Sequence, residues 1–281
     1  RVPFEFPSLE DWGLPPVLTE LTKLSQGLVL ITGPTGSGKS STLAAMMRMI
    51  INTRLVHLVT IEDPIEFLLR DNLGAVTQRE VGTDTPGFAA ALRNALRQDP
   101  DVIMVGEIRD SETADIAVKS ALTGHLVFST VHANDAPGTL TRLADMGVPR
   151  YLVGSAMSLV MAQRLVRRVC ERCKELVLPE PEILAAFGAD ADLLRGHPVA
   201  RGRGCMACKQ TGYSGRVALF EVLELNRDVR RLVLDGANED EIKRQAIANG
   251  FVTLRKAGIR KVIEGITTLD EVRSATLGDA D

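Results

Sequence analysis

Residues 33–40 read Gly33-Pro34-Thr35-Gly36-Ser37-Gly38-Lys39-Ser40, a match to GxxxxGK[ST] between an apolar run, Leu28–Thr32, and a helix-forming run from Ser41 to Met49. No other stretch constrains the fold as strongly, because a strand that turns through glycines straight into a helix is the opening unit of a layered α/β structure. Glycines at 33, 36 and 38 let the backbone curl until successive N–H groups face inward. The positive end of the following helix adds attraction for an anion. The ligand this pattern expects is a nucleoside triphosphate, with residues 33–41 (Gly33 through Ser40, then Ser41) as the cradle. Lys39 reaches the β- and γ-phosphates and Ser40 holds Mg²⁺ through its hydroxyl. A Gly/Ser-rich turn that merely joins a strand to a helix has no need of all the fixed positions.

Beyond this loop, strand-like and helix-like segments alternate, which argues for a mainly parallel sheet. Leu55–Ile61 runs into Glu62-Asp63-Pro64, and a helix is expected from Phe88 to Arg97. The short apolar run Val102–Val105 ends in Gly106-Glu107. A helix capped by Asp110 or Ser111 then runs to Thr123, and Leu126–Val131 delivers His132-Ala133-Asn134-Asp135. Polar groups thus sit at the carboxyl ends of strands, where open α/β sheets bind ligands. Glu107 has the position of a carboxylate that organises Mg²⁺ and its waters, and Glu62 is a second such carboxylate. His132, beyond a strand end, is the better histidine for contacting phosphate or Mg²⁺-bound water. His125 reads equally well as a satisfied structural histidine.

The 281 residues include 45% hydrophobic and 25% charged side chains, ordinary for a globular chain with a sizeable core. A net charge of −3 and 4% aromatic content offer no broad nucleic-acid footprint. No run of 18 apolar residues is present, and the start at Arg1 carries no secretory pattern, so a cytosolic setting is expected. Pro3, Pro7, Pro15 and Pro16 read as a linker over residues 1–25 that continues from an upstream domain.

All four cysteines fall into two CxxC pairs, Cys170/Cys173 and Cys205/Cys208, separated by 31 residues. Two such turns offer one metal a closed tetrahedron of thiolates, which is the grammar of structural zinc. A redox pair is disfavoured by the lack of a thioredoxin-like setting. Between the pairs a helix is expected from Glu182 to Arg195. After them come a turn at 212–216, a strand at 217–223, and helices capped by Asn226, Asn238 and Thr268. Arg164, Arg167, Arg168 and Arg172 form a basic cluster, read either as a solvated face or as a partner for acids across a subunit contact.

From Leu9 to Ala275 these motifs resemble the secretion ATPase superfamily, specifically the hexameric motors of type IV pilus assembly and type II secretion. The resemblance rests on the phosphate loop, Thr60-Ile61-Glu62-Asp63-Pro64-Ile65-Glu66, the segment Asp101–Asp110 ending Gly-Glu-Ile-Arg-Asp, and His132-Ala133-Asn134-Asp135-Ala136. The tetracysteine module is similar to that of the assembly and secretion motors. The resemblance implies a RecA-like core over 26–165, a zinc module over 166–222, and a C-terminal helical region over 223–281. It implies ATP, Mg²⁺ and structural Zn²⁺, a homohexamer, an inner-membrane platform protein as partner, and a cytoplasmic place peripheral to that membrane. Nucleic acid is not an expected partner. Glu62 and Glu107 would divide activation of the attacking water and positioning of metal-bound water, with Glu62 favoured as base and either order open. His132 would sense the γ-phosphate. The same resemblance implies a missing sensor-like domain before residue 1. A RecA-like nucleic-acid motor and a non-hydrolysing regulatory module are the rival readings.

Overall fold

The computed structural model describes residues 13–276. Pro3 and Pro7 of the expected linker, and the last five residues, lie outside them. In chain order the elements are α1 (Val17–Leu21), β1 (Gly27–Thr32), α2 (Lys39–Thr53), β2 (His57–Glu62), β3 (Ala75–Glu80), α3 (Phe88–Ala95), β4 (Val102–Val105), α4 (Ser111–Leu122), β5 (Leu126–Val131), α5 (Ala136–Asp145) and α6 (Arg150–Ala156). There follow β6 (Met157–Val169), β7 (Lys174–Val177), α7 (Pro181–Ala185), a 3₁₀ segment (Gly188–Leu194), β8 (Val199–Gly202), a 3₁₀ turn (Met206–Cys208), β9 (Tyr213–Glu224), α8 (Arg227–Asp235), α9 (Glu239–Ala248), α10 (Leu254–Ile263) and α11 (Leu269–Ala275).

The chain divides into two compact units, residues 1–162 with 222–251 and residues 163–221 with 252–281. These units cut across the sequence-based boundaries, since α8 and α9 fall in the first and α10 and α11 in the second. The main sheet has the order β3-β2-β4-β5-β1-β6-β9. Its strands β3, β2, β4, β5, β1 and β6 are joined by parallel ladders. Every residue of β1, β4 and β5 is buried, Thr32, Ser129 and Thr130 included, which is why these strands read as mainly apolar runs instead of alternating ones. Leu28, Val29, Leu30 and Ile31 are fully buried. Each contributes about 1.5–3 kcal/mol, so a charge at any of them would disrupt the strand that presents the phosphate loop.

Two helix starts follow directly from short polar side chains. Asp110 accepts the Thr113 N–H to cap α4, and Asp135 accepts the Gly138 N–H to cap α5. Both caps lie just past strand ends, so the turns that carry the candidate residues are tied to rigid elements at either side.

Several expectations need correction. Part of the expected linker is ordered structure, because Val17–Leu21 forms α1 with Leu18 and Leu21 buried behind Pro16. The expected 182–195 helix stops at Ala185 and resumes as 3₁₀ at Gly188, whose φ of +55° the preceding helix cannot continue. The expected turn at 212–216 is mostly strand, since β9 already begins at Tyr213.

In the second unit β7 and β8 form an antiparallel pair. Arg167, one of the basic cluster, donates from Nε and Nη2 to Glu271 Oε1 at 3.0 and 2.6 Å and stacks 4.0 Å from the Tyr213 ring centroid. That member of the cluster therefore has its acid within its own chain. The neighbouring core is built by Phe187, Leu194, Val199, Ile259, Val262 and Val272.

Candidate functional site

Strand order decides which segments meet. β2, β4, β5 and β1 are adjacent and parallel, so their carboxyl ends share one sheet edge. That edge carries Glu62, Glu107, His132 and the phosphate loop, all within the first unit.

Gly33, Gly36 and Gly38 have φ of +146°, +78° and +90°, the region that excludes most side chains. A Cβ at Gly36 would meet no atom within 4 Å, so there it is backbone conformation that favours glycine, and the loop opens to solvent. Gly38 is the N-cap of α2 and supplies no side-chain acceptor. The first turn of α2, beginning at Lys39, brings its backbone N–H groups and the positive end of the helix to the loop. Lys39 Nζ lies back along the loop, donating to Gly33 O at 2.8 Å and Pro34 O at 3.0 Å. Pro34, Thr35 and Ser40 are exposed, whereas Ser37 is buried under the loop. The open glycine curve, the amides and the cation fit a polyphosphate, and the exposed Ser40 hydroxyl fits a hydrated Mg²⁺.

The two carboxylates differ in surroundings. Glu62 is the last residue of β2, and its Oε1 accepts from Thr60 Oγ1 at 2.6 Å and Gln78 Nε2 at 3.0 Å. Burial pushes its carboxyl above the usual 4.5, although both hydrogen bonds pull the other way. Glu107 follows β4 and is 13% exposed; its Oε1 pairs with Arg109 Nη2 at 2.5 Å, and its Oε2 lies 3.7 Å from His132 Nε2. Gly106 joins the two sites: its N–H donates to Ile61 O at 2.7 Å, and a Cβ there would lie 3.2 Å from that oxygen and 3.5 Å from Glu62 Cα. On the other side Ile108 N–H donates to Thr130 O at 2.9 Å. The turn carrying Glu107 is thus pinned to both neighbouring strands.

Thr32, at the end of β1, donates to Val131 O and accepts from Ala133 N, both at 2.9 Å. This ties the phosphate loop to the His132 segment. His125 stays apart, with Nδ1 3.1 Å from Ser120 O, a structural role. Arg109 and Gln78 are partners that reading the sequence did not single out. The first lies inside the quoted Gly-Glu-Ile-Arg-Asp; the second is on β3, a half-exposed edge strand without an apolar run.

A separate cluster lies in the second unit, where the Sγ atoms of Cys170, Cys173, Cys205 and Cys208 all fall within 4.8 Å of one another. Three separations are 3.9 Å (Cys170–Cys205), 3.9 Å (Cys173–Cys208) and 3.7 Å (Cys205–Cys208). A zinc–sulfur bond of about 2.3 Å gives a tetrahedron edge of about 3.8 Å, whereas a disulfide needs about 2.05 Å. The sulfurs fit one metal and are too far apart to be bonded. Burial pushes the Cys208 thiol up, but N–H groups of Cys205 (3.2 Å) and Gly212 (3.3 Å), together with the neighbouring thiols of Cys205 and Cys173, bring it down to about 6, while burial pushes the Cys173 thiol up to about 12. Such donors are the usual outer support of a metal thiolate.

The sequence matches the family model described as "Type II/IV secretion system protein" over residues 14–274. It is 45% identical over 278 residues to the type IV pilus assembly ATPase PilB of Thermus thermophilus, covering 97% of this chain and 31% of that protein. It is likewise 45% identical over 260 residues to type II secretion system protein E of Pseudomonas aeruginosa, covering 92% and 50%. The chain therefore spans a third to a half of the length of these curated relatives. Among solved structures, the pilus retraction motor PilT with bound ADP aligns with a TM-score of 0.77 at 34% identity, covering 98% of this chain and 68% of that one. On this match, covering nearly all of the described residues, the chain belongs to the type II/IV secretion system protein family.

Proposed function

We propose that the chain is the ATP-hydrolysing core of a motor that powers type IV pilus assembly or type II protein secretion. The observation that carries this reading is the shared sheet edge, where the phosphate loop meets Glu62, Glu107 and His132 on adjacent parallel strands. A module that only binds nucleotide needs the loop and its cation; two further strand-end carboxylates suit water activation.

In this account the loop amides and Lys39 bind the phosphates, and Lys39 exchanges its two backbone carbonyls for phosphate oxygens. Bound Mg²⁺, held by Ser40, would supply neutralisation of charge on the β- and γ-phosphates. Glu107, braced by Arg109, orients metal-bound water. Glu62 takes the proton of the attacking water as its oxygen bonds to the γ-phosphorus, and the bond from that phosphorus to the leaving oxygen of ADP breaks. The raised carboxyl of Glu62 suits a base. His132, half exposed beside Glu107, is the group positioned to sense the γ-phosphate. Zinc is the metal proposed for the four cysteines, with a structural role because no ligand position stays open.

The names of the relatives in both machines support the transport reading without choosing between them. We extend it to a homohexamer working against an inner-membrane platform protein. Among the described residues no helix is long and apolar enough to cross a membrane, so membrane attachment in this reading comes through that partner. The test is multiple-turnover phosphate release from ATP by the chain. Mg²⁺-dependent release that DNA does not stimulate supports it; binding without turnover contradicts it.

A further inference from the structure

Glu62 is held from one side only. Both donors converge on Oε1, and among the described residues Oε2 receives no protein hydrogen bond. The register explains the convergence: Thr60 lies opposite Gln78 and Glu62 opposite Glu80 across the β2–β3 ladder. Residues two apart on a strand share a face, so Thr60, Glu62, Gln78 and Glu80 form one polar patch on that face.

The Gln78 amide is itself fully committed. Nε2 donates to Glu62 Oε1 and to Phe67 O, both at 3.0 Å, while Oε1 accepts the Leu69 N–H at 2.8 Å. A flipped amide would set its oxygen against two acceptors and its NH₂ against a donor, so the three contacts select one orientation. A carboxylate free to rotate would present either oxygen to water. One gripped on Oε1 by two donors presents Oε2 each time.

The other charged groups around Glu62 do not replace this grip. Glu66 and Glu80 are both acidic and push its carboxyl up. Glu80 is occupied locally, accepting from Ile65 N–H at 3.0 Å and Thr83 Oγ1 at 3.1 Å. On the opposite flank β4 offers only apolar side chains along Val102–Val105.

We infer that Gln78 is the positioning residue of the base, fixing Glu62 so that Oε2 takes the proton from the attacking water. The inference rests on the reading of the chain as an ATPase and assigns it a residue outside the phosphate loop and outside the strand-end carboxylates. It also ties the base to the backbone at Phe67 and Leu69, so the segment between β2 and β3 becomes part of the catalytic support.

The experiment compares Gln78→Leu and Gln78→Met, alone and with Glu62→Gln, by phosphate release across pH and by nucleotide affinity. Losing a donor to the ionised carboxylate raises the pH at which the base becomes active. Either Gln78 variant should therefore lower kcat on the order of 10-fold or more, leave nucleotide Kd within about 3-fold, and move the acid limb of the kcat profile to higher pH. Neither should add to the loss in Glu62→Gln, because the two act as one unit. An unmoved acid limb, or an independent further loss in the double variants, would overturn the role of Gln78. Should Gln78→Leu fail to fold, Gln78→Met, closer in length, carries the same comparison. Normal turnover in Glu62→Gln alone would instead overturn the base assignment beneath it, so the two failures are distinguishable.

Discussion

Glu107 Oε2 lies 3.7 Å from His132 Nε2, a separation too long for a hydrogen bond and short enough for the two groups to share one water or metal-bound ligand. The pair joins the residue after β4 to the residue after β5, and Arg109 holds the other carboxylate oxygen. The two carboxylate oxygens of Glu107 are thus oriented by different neighbours, Oε1 by Arg109 and Oε2 toward His132.

Glu107→Gln keeps the size of the side chain and removes its charge. Turnover should fall on the order of 10²-fold while ATP affinity changes by about 3-fold or less, because ground-state binding comes from the loop amides and Lys39. Parallel titrations of binding and phosphate release make the comparison; a matching loss of both would move Glu107 from chemistry to binding.

Lys39→Ala should abolish measurable hydrolysis and weaken ATP binding on the order of 10-fold or more, with an unchanged melting temperature. The side chain donates to the Gly33 and Pro34 carbonyls of its own loop. Turnover at the wild-type level would contradict the assignment of the phosphate loop.

Gly106→Ala tests the joint between the acidic strand ends. The new methyl would press on Ile61 O at 3.2 Å while lying in ordinary contact with Glu62 Cα at 3.5 Å, so β2 and the Glu107 turn must give by a few tenths of an ångström at that carbonyl. We expect a stability cost of about 1 kcal/mol and a larger fold-drop in kcat than in ATP affinity, since catalytic geometry tolerates little displacement. Denaturation and steady-state kinetics together check it.

Glu239 supplies a pH dependence of stability. Burial first, then the charge and hydrogen bond of Asp135, push its carboxyl up to about 7; Lys243 partly offsets this and Asp240 adds to it. The folded chain keeps that proton until about pH 7, whereas an unfolded one loses it near 4.5. Stability from this group is complete below 4.5 and lost as pH rises through 7. Glu239→Gln should therefore melt like the wild type at acid pH and be more stable at pH 8, on the order of 1 kcal/mol after allowance for solvent. Equal melting at pH 8 would contradict the pairing.

The four cysteines should hold one zinc per chain in reduced protein, and chelation should unfold residues 163–221 before the nucleotide unit. Structural zinc contributes on the order of 10–16 kcal/mol in small peptides, enough to decide local folding. Metal analysis and hydrogen exchange read both outcomes.

Much of the first unit is legible in the sequence because its central strands are buried on both faces. β1, β4 and β5 are mainly apolar runs, and each leads into a polar segment: the phosphate loop, Glu107 and His132. The phosphate loop carries its own signature, and the CxxC spacing anticipates the sulfur cluster. Edge and shared strands are harder. β3 is half exposed and polar, which hid Gln78. β6 carries Arg164, Arg167 and Arg168 near its end, so that stretch reads as a charged cluster instead of a strand. The division of the C-terminal helices between units has no local signal, because capping residues such as Asn226 and Thr268 mark where a helix starts and not what it packs against.

The most direct test of the account is phosphate release by Glu62→Gln at saturating Mg²⁺ and ATP, with ATP affinity measured on the same protein. Removing a general base typically costs 10²–10⁴-fold, so turnover should fall on the order of 10²-fold or more with ATP Kd held within about 3-fold. Near-normal turnover would remove Glu62 from the mechanism and contradict the reading of this sheet edge as a hydrolytic site.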